Sequence, residues 1–379
     1  MSNYNPDIAF FIHSLDSGGV ERNTINLIQY FVKMGLKVDL LLRIVQGEGA
    51  GVYLSQLPPQ VRIIELGSGF KGLFKLINYL KQEEPLNLFA AMYPINEMAI
   101  LAKYLTKSST RIVISVHGVL SCQEYVVQFP WPVLSKIHAP WVRLLARWFY
   151  PWADDIVIVS QAAAKDFVQV TGIPLSRIQV IYNPVITPAL LEKSKHPLDH
   201  PWFQQGKPPV ILAVGRLHQI KDFSNLIRAF AMVRQVQLAR LMILGTGTEE
   251  KRLQSLIYEL GVEQDVVLQG FVDNPYAYII ASSVVVLSSL TEALPTVLIE
   301  AMALGTPVIS TDCPSGPREI LADGKYGELV PVGDSQAIAE AIKLVLAGNI
   351  KSVDAAWIEQ FSIAKVTQKY LDLFSLIPN

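Results

Sequence analysis

The sequence alternates short, continuous runs of apolar residues with longer amphipathic stretches. From about residue 209 the runs are PVILAVG, RLMILG, DVVLQG, SVVVLSS and TPVIST, and stretches such as NLIRAFAMVRQV and EEKRLQSLIYEL lie between them. Uninterrupted runs of this length, rich in β-branched residues, are typical of strands buried on both faces, as in parallel sheets covered by helices. The pattern therefore predicts an α/β fold with a parallel sheet.

The first half of the chain repeats this pattern at DIAFFIHS, KVDLLLRI, VRIIEL, NLFAAM, RIVISVHG and DDIVIVS. At 379 residues the chain is also longer than one ordinary domain. We predict two doubly wound, Rossmann-like domains facing each other across a cleft, joined within the polar, proline-containing stretch 187–208. The predicted division is residues 1–186, residues 187–350 and a helical tail, residues 351–379.

Composition limits the classes of partner. With 51% hydrophobic and 17% charged residues and a net charge of −1, the chain lacks the basic excess that binds nucleic acid. Its two cysteines, Cys122 and Cys313, exclude a disulfide framework and fit a reducing compartment. The start of the chain lacks the features of a signal peptide, and no run approaches the roughly 18 apolar residues of a membrane span. We expect a cytoplasmic protein, either soluble or held at the inner face of the plasma membrane.

The stretch TEALPTVLIEAMALGTPVIST, residues 291–311, follows a predicted strand at 283–288. Pro295 suits the first position of a helix that ends near Leu304, with Gly305 as its cap. The free backbone N–H groups and the positive dipole end of such a helix would hold a phosphate at the carboxyl end of the sheet.

Two carboxylates flank this predicted anion site. Glu292 lies before the helix, and Glu300 lies on its second turn among apolar neighbours, where a charge without a partner is costly. Carboxylates accept hydrogen bonds from neighbouring hydroxyls, so phosphate beside two carboxylates points to a nucleotide sugar. The alternative is that Glu292 helps to cap the helix and that Glu300 is a solvated helix residue.

The segment GRLHQIKD follows another predicted strand. Gly215 permits close backbone approach, and Arg216 and Lys221 bring two positive charges to the end of that strand. We interpret both cations as diphosphate ligands, although an Arg and a Lys five residues apart are commonly ordinary surface residues.

Two glycine loops are further candidates. In SGGVERN, Gly18 and Gly19 precede a helix that starts near Val20, so their amides could approach a ligand, or the loop is a plain tight turn. In LGTGTEE, Gly245 and Gly247 line a nucleoside pocket or form a structural turn, two alternatives that the sequence leaves open.

His117 ends the predicted strand RIVISV and precedes Gly118, which places it at the ligand side of the first sheet. We interpret it as a hydrogen-bonding or proton-handling group, against the alternative of a structural histidine. The other histidines lack metal-ligand spacing, and the chain has no Asp-x-Asp pair to hold a divalent ion. The sequence therefore predicts neither a metal nor a cofactor, and charge neutralisation falls to Arg216, Lys221 and the helix N-terminus.

These motifs resemble glycosyltransferase family 4, retaining enzymes with the two-domain GT-B fold. The similarity is carried by GRLHQIKDFSNLIRAF, LGTGTEEKRL, GELVPVGD and the long segment from VVLQGFVDNP to SGPREIL, together with SGGVERN, VHG, ADDIVIVS and VIYNPV in the first half. It covers nearly the whole chain. In this fold the helical tail crosses back to the first domain.

The resemblance implies a role for each matched position. Glu300 would bind the donor ribose, Glu292 would face the transferred sugar, and His117 would lie near that sugar. The remaining donor-binding positions lie in four loops and are Gly18, Gly19, Gly215, Arg216, Lys221, Gly245, Ala293, Leu294, Pro295, Thr296, Val297 and Leu298. Ala293 departs from the family, because a glycine commonly follows the first glutamate, and an alanine would be strained if that position needs positive φ.

The implied reaction moves a hexose or N-acetylhexosamine from a nucleoside diphosphate sugar, with a UDP-sugar expected, to a glycan or lipid-linked acceptor in envelope polysaccharide or lipopolysaccharide synthesis. The alternatives are a nucleotide-sugar epimerase or hydrolase, and a non-catalytic partner subunit of the same fold. A dehydrogenase is disfavoured because no strand is followed by G-x-G-x-x-G.

Residues 129–152, FPWPVLSKIHAPWVRLLARWFYPW, interleave four tryptophans with Lys136, Arg143 and Arg147. This pattern predicts either peripheral contact with a membrane or a helix packed on the first domain. Three prolines, Pro132, Pro140 and Pro151, are expected to interrupt any long helix there.

Overall fold

The computed structural model describes residues 5–15, 18–44, 53–125 and 132–376. The chain divides into two compact units. Unit 1 comprises the residues up to Pro184 together with those from Phe361 onward, and unit 2 comprises Val185–Gln360. Each unit contains one all-parallel sheet with helices between its strands, so the predicted α/β class is confirmed.

Unit 1 contains a seven-stranded sheet. Its strands are β1 (Ile8–Ile12), β2 (Val38–Leu42), β3 (Arg62–Glu65), β4 (Asn87–Ala91), β5 (Arg111–Val116), β6 (Asp155–Ile158) and β7 (Ile178–Val180). They lie in the order β3-β2-β1-β4-β5-β6-β7. Residue Ile8 pairs with Val38 on one side and with Asn87 on the other. The direction of winding therefore reverses between β1 and β4, the position at which doubly wound sheets bind ligands.

The helices of unit 1 cover both faces of this sheet. They are α1 (Gly19–Lys33), α2 (Gly69–Glu83), α3 (Ile95–Thr106), α4 (Pro132–Phe149), α5 (Gln161–Thr171) and, from the end of the chain, α14 (Ile363–Phe374). Side chains alternate along a strand, so Ala9 and Phe11 pack with α2 to α5 on one face, whereas Ile8 and Phe10 pack with α1 and α14 on the other.

Helix α4 corrects one prediction, because Pro140 lies inside it without ending it. A proline removes one hydrogen bond of a helix. Here the buried side chains of Val142 and Ala146 hold the following turns against the rest of unit 1. No helix in the described ranges is both long and apolar enough to cross a bilayer.

Unit 2 contains a six-stranded sheet. Its strands are β8 (Val210–Val214), β9 (Arg240–Leu244), β10 (Val266–Gly270), β11 (Val284–Leu287), β12 (Val308–Thr311) and β13 (Glu328–Val330). Its helices are α6 (Pro188–Ser194), α7 (Phe223–Val236), α8 (Glu250–Glu259), α9 (Pro275–Ala281), α10 (Thr296–Ala303), α11 (Gly316–Ile320), α12 (Ser335–Leu346) and α13 (Ala355–Ile358). The strand order β10-β9-β8-β11-β12-β13 places the reversal of winding between β8 and β11.

Candidate active site

The loops that follow β8 and β11 meet at the reversal point of the unit 2 sheet. The backbone N–H of Leu290 donates to the carbonyl oxygen of Ile220 at 2.8 Å. The hydroxyl of Ser288 donates to the carbonyl oxygen of Lys221 at 2.7 Å. These two bonds hold the loops side by side where a doubly wound sheet receives its ligand.

An ion pair spans these two loops. The ammonium of Lys221 contacts the carboxylate of Glu292, whose Oε1 also accepts a hydrogen bond from the Ser289 hydroxyl at 2.7 Å. The side chains of Lys221 and Glu292 are 22% and 14% exposed, so the pair is largely shielded but open to a ligand. Two predicted site residues are thus in direct contact, although the sequence interpretation gave them separate roles.

Arg216 supplies a second cation at the same edge of the sheet. It lies directly after Gly215 at the end of β8 and is exposed. Its guanidinium makes no hydrogen bond or ion pair with the part of the chain that the structure describes. Arg216 and the Lys221–Glu292 pair therefore offer positive charge and a carboxylate to one ligand.

Helix α10 begins one residue later than predicted, with Pro295 as its N-cap rather than its first residue. No side chain caps its first turn, and no acidic residue lies there. The amides of Thr296 and Val297 therefore remain available to an anion, whereas the N–H of Leu298 donates to the carbonyl oxygen of Pro295 at 3.2 Å. Gly305 follows the helix with φ of 76°, a left-handed conformation that suits glycine, as predicted for the cap.

Glu300 lies on the second turn of α10 and is only 4% exposed. This burial excludes the alternative that Glu300 is a solvated helix residue. Its neighbours Leu298 and Ile299 are fully buried as well, so this turn of α10 lies inside the protein.

The loop before α10 is fixed by the segment that follows β12. The hydroxyl of Ser315 donates to the carbonyl oxygen of Ala293 at 3.1 Å. The N–H of Gly316 donates to the backbone carbonyl oxygen of Glu292 at 3.2 Å. A Cβ at Gly316 would lie 2.6 Å from the Ala293 carbonyl oxygen, so only glycine permits this approach. Ala293 is not among the residues with positive φ, so alanine is not strained there.

The glycines of the loop after β9 have a structural reason to be glycine. Gly245 has φ of 138°, and a Cβ there would lie 2.0 Å from the carbonyl oxygen of Gly215. A Cβ at Gly247 would lie 2.3 Å from the carbonyl oxygen of Leu217. This close packing supports the structural-turn alternative for Gly247, whereas the proposed contact of Gly245 with the donor stays a prediction.

The remaining predicted site residues lie at the corresponding edge of the unit 1 sheet. His117 follows β5, and its Nε2 lies 2.9 Å from the hydroxyl oxygen of Ser115. Burial lowers the pKa of His117 to about 4, so the imidazole is neutral at pH 7. It can exchange hydrogen bonds with a sugar hydroxyl, whereas a charged role for this histidine is disfavoured.

Gly18 and Gly19 lie between β1 and α1. Gly18 is the N-cap of α1, which has no side-chain cap, and Gly19 is its first residue. A Cβ at Gly19 would meet no other atom within 4 Å, so its backbone faces open space. A Cβ at Gly18, by contrast, would lie 2.0 Å from Oε2 of Glu21, so this carboxylate of the first turn lies close to the N-terminus of α1 and the contact of Gly18 and Gly19 with a ligand stays a prediction.

Sequence reasoning missed three residues of the unit 2 site: Ser289, Ser315 and Gly316. Ser289 bonds Glu292, and Ser315 and Gly316 fix the loop before α10. The dipeptide Ser-Gly between two prolines in PSGP is a turn signal that could have directed attention to this segment.

Within residues 129–152, the structure exposes the tryptophans that it describes. Trp141, Trp148 and Trp152 are 56%, 68% and 56% exposed, whereas Trp131 lies outside the described residues. Arg143 donates to the carbonyl oxygens of Leu120 and Ser121, so it serves the fold of unit 1. Lys136 lies in α4.

Two family models match the chain, one on each half. Residues 17–187 match "Glycosyltransferase Family 4", and residues 197–360 match "Glycosyl transferases group 1".

Relatives of known function match most of the chain. An enzyme of Campylobacter jejuni, the N-acetylgalactosamine-N,N'-diacetylbacillosaminyl-diphospho-undecaprenol 4-alpha-N-acetylgalactosaminyltransferase, is 27% identical over 96% of this chain and 99% of its own length. The lipopolysaccharide 1,6-galactosyltransferase of Salmonella typhimurium is 28% identical over 66% of this chain and 69% of its own. Among solved structures, Anabaena HepE in complex with UDP and glucose matches with a TM-score of 0.78 and 21% identity, covering 98% of this chain and 100% of HepE.

Proposed function

Because the chain belongs to glycosyltransferase family 4 and has the GT-B fold, we propose that it transfers a hexose or N-acetylhexosamine from a nucleoside diphosphate sugar with retention of the anomeric configuration. The donor is a UDP-sugar. The acceptor is a glycan or a lipid-linked glycan in envelope polysaccharide or lipopolysaccharide synthesis.

One observation carries this proposal: the charges and free amides collected at the reversal point of the unit 2 sheet. Arg216 and Lys221 follow β8, and the uncapped first turn of α10 follows the neighbouring strand β11. A diphosphate leaving group needs positive charge and N–H donors aimed at its oxygens. The amides of Thr296 and Val297 hold the distal phosphate, and Arg216 and Lys221 neutralise the diphosphate.

The two glutamates supply the sugar-binding groups. Glu300 accepts hydrogen bonds from the ribose, and Glu292, which the Lys221 ammonium and the Ser289 hydroxyl orient, faces the transferred sugar. A carboxylate held by two partners keeps one orientation, so its free lone pairs can distinguish sugar hydroxyls. His117 supports the sugar as a neutral hydrogen-bonding group.

The transfer breaks the bond between the anomeric carbon and the diphosphate and forms a bond from that carbon to the acceptor oxygen. The departing diphosphate carries the developing negative charge, which Arg216, Lys221 and the α10 amides stabilise. The acceptor proton goes to an oxygen of the leaving phosphate.

The relatives support a glycan acceptor on a lipid carrier. The name of the Campylobacter enzyme specifies a sugar acceptor on diphospho-undecaprenol, and that of the Salmonella enzyme specifies lipopolysaccharide. Exposed tryptophans within residues 129–152 suit contact with the membrane that carries such an acceptor. We therefore place the enzyme in the cytoplasm, at the inner face of the plasma membrane.

A donor screen tests this function. The purified protein is incubated with UDP-, GDP- and ADP-sugars in the presence of a chelator, with and without a membrane lipid extract, and nucleoside diphosphate release is followed. We expect release that requires one UDP-sugar together with the extract. Release of nucleotide and free sugar without any acceptor would instead identify a hydrolase or epimerase.

A matched pair of arginine variants connects this reaction to the site. Arg216→Ala removes the exposed cation after β8 and should lower kcat/KM by about a hundredfold or more. Arg228→Ala removes an exposed arginine from α7 of the same unit and should leave the rate unchanged. Equal rates for both variants would contradict the assigned role of Arg216.

A further inference from the structure

Helix α2 presents two phenylalanines to solvent. Phe70 is 83% exposed and Phe74 is 64% exposed. They are four residues apart and therefore lie on one face of the helix. Single exposed apolar residues are ordinary, but two aromatic rings side by side on one helix face indicate a surface that contacts something else.

The same exposed face is positively charged. Lys71, Lys75 and Lys81 are exposed on α2. The one acidic residue within this fully described helix is Glu83, which pairs with Arg62 at 2.9 Å. The acids Glu83 and Glu84 lie at the C-terminal end of the helix, whereas its first three turns carry aromatic rings and lysines, the composition of helices that lie on anionic lipid.

Helix α4 adds a second stripe on the same side of unit 1. Trp141, Leu144 and Trp148 are spaced to form one stripe and are 56%, 44% and 68% exposed. Trp152 follows this stripe and stacks on Tyr104 of α3 with ring centroids 5.3 Å apart. Because α2, α3 and α4 all pack on the same face of the sheet, their outer faces point away from it in the same direction.

We propose that these outer faces form one docking surface for an anionic lipid bilayer. The docking surface consists of Phe70, Phe74, Trp141, Leu144, Trp148 and Trp152, with Lys71, Lys75, Lys81 and Arg147 among them. Its aromatic rings enter the interfacial region and its cations contact anionic head groups.

Charge favours a bilayer over a second copy of the chain. A symmetric dimer through this surface would place the lysine-rich faces of two copies against each other, and their like charges would repel. An anionic membrane instead neutralises the cations of α2 and α4. The inference deepens the proposed function and rests on its lipid-linked acceptor, because an enzyme bound to the membrane surface and an acceptor in the same membrane find each other by diffusion within that surface.

Vesicle sedimentation of the full chain tests the proposal. We expect binding to vesicles of phosphatidylcholine with phosphatidylglycerol, weaker binding to phosphatidylcholine alone, and weaker binding as salt is raised. Phe70→Ala with Phe74→Ala should weaken binding to the anionic vesicles by at least about tenfold. Lys71→Glu with Lys81→Glu should also weaken binding to the anionic vesicles by at least about tenfold, because each change replaces a cation with an anion.

Control variants carry equal changes elsewhere. Val236→Ala with Leu238→Ala removes apolar side chains that are 67% and 68% exposed in unit 2. Lys207→Glu with Lys251→Glu changes the net charge by the same amount on exposed positions of that unit. Both controls should bind vesicles as the unchanged protein does. Loss of binding in the controls equal to that of the α2 variants, or no loss in either, would overturn the proposal.

Two further readouts separate this proposal from its rivals and from the proposed function. If the phenylalanine variant converts a dimer to a monomer in light scattering while vesicle binding is unchanged, the surface belongs to a self-association interface and the proposal fails. Transfer to a detergent-dissolved acceptor should be equal in the α2 variants and the unchanged protein. If transfer is absent in all of them while vesicle binding follows the prediction, the proposed function fails and the docking surface stands.

Discussion

A single buried carboxylate, Glu97, sets a pH dependence of folding. It lies in the first turn of α3 and is 8% exposed. Neither carboxylate oxygen has a hydrogen-bond partner of good geometry among the described residues, although the Tyr150 hydroxyl lies beside them. Burial raises the pKa of Glu97 to about 7, and its own backbone N–H and Tyr150 offset only part of that rise.

A raised pKa means that folding resists ionisation of this group. Below its ordinary pKa of 4.5, Glu97 is protonated in the folded and unfolded states and carries no penalty. As pH rises from there to about 7, the unfolded state loses the proton first, so stability falls by about 3 kcal/mol. Glu97→Gln removes the ionisation, so the variant should exceed the unchanged protein in unfolding free energy by about that amount at alkaline pH, but not at acid pH.

Urea unfolding at several pH values measures this difference, with the exposed Glu263→Gln as control. A constant offset between Glu97→Gln and the unchanged protein at every pH would show that packing, not ionisation, separates them.

The Lys221–Glu292 pair should show coupling between its two partners. Lys221→Met leaves the shielded Glu292 carboxylate with the Ser289 hydroxyl as its remaining described partner, and should cost about 2 kcal/mol. Adding Glu292→Gln removes the unpaired buried charge, so the double variant should regain about 1 kcal/mol of unfolding free energy. Denaturant unfolding of the single and double variants gives the coupling free energy. Simple additivity of the two single effects would contradict a direct structural role of the pair.

At the scale of elements, α14 completes one core face of unit 1. Phe374 packs edge-on against Phe31 and Phe89, with ring centroids 6.1 and 6.4 Å away, and is 3% exposed. Phe374→Ala should therefore cost about 3–4 kcal/mol of unfolding free energy, since it leaves a cavity between α14 and the sheet. Lys365→Ala, on the exposed face of the same helix, should change stability by less than about 0.5 kcal/mol. Similar losses in both variants would contradict the role assigned to the aromatic contact.

Elements were predictable where their signal is local. The run SVVVLSS becomes β11, and the proline and glycine around TVLIEAMAL mark both ends of α10 to within a residue. Pro140 is the counterexample, because the burial of later turns outweighs the helix-breaking preference of proline. No residue near Pro140 in the sequence indicates that these turns are buried.

Contacts between distant segments were not predictable. Lys221 and Glu292 are 71 residues apart in sequence, and only the order of strands in the sheet brings their loops together. The same is true of Gly316, whose need for glycine arises from the backbone of Ala293. A pattern of residue types identifies such positions as candidates, but the partner of each is fixed by tertiary structure.

At the scale of the whole molecule, both units use the same winding. Each places its first strand beside its fourth, so each has a reversal point with loops that carry predicted site residues. This repetition is why the apolar runs of both halves resemble each other in sequence. It also means that the alternation of apolar runs and amphipathic stretches in either half alone was enough to predict the α/β fold class.

The path of the chain has a consequence for the order in which the protein is made. Unit 2 is encoded by one uninterrupted stretch, Val185–Gln360, whereas unit 1 recruits α14 from beyond it. A ribosome therefore releases all of unit 2 before it releases the helix that covers Phe31 and Phe89 of unit 1. During translation, the half synthesised first is the half completed last, and its uncovered aromatic face is what a chaperone on the nascent chain would meet.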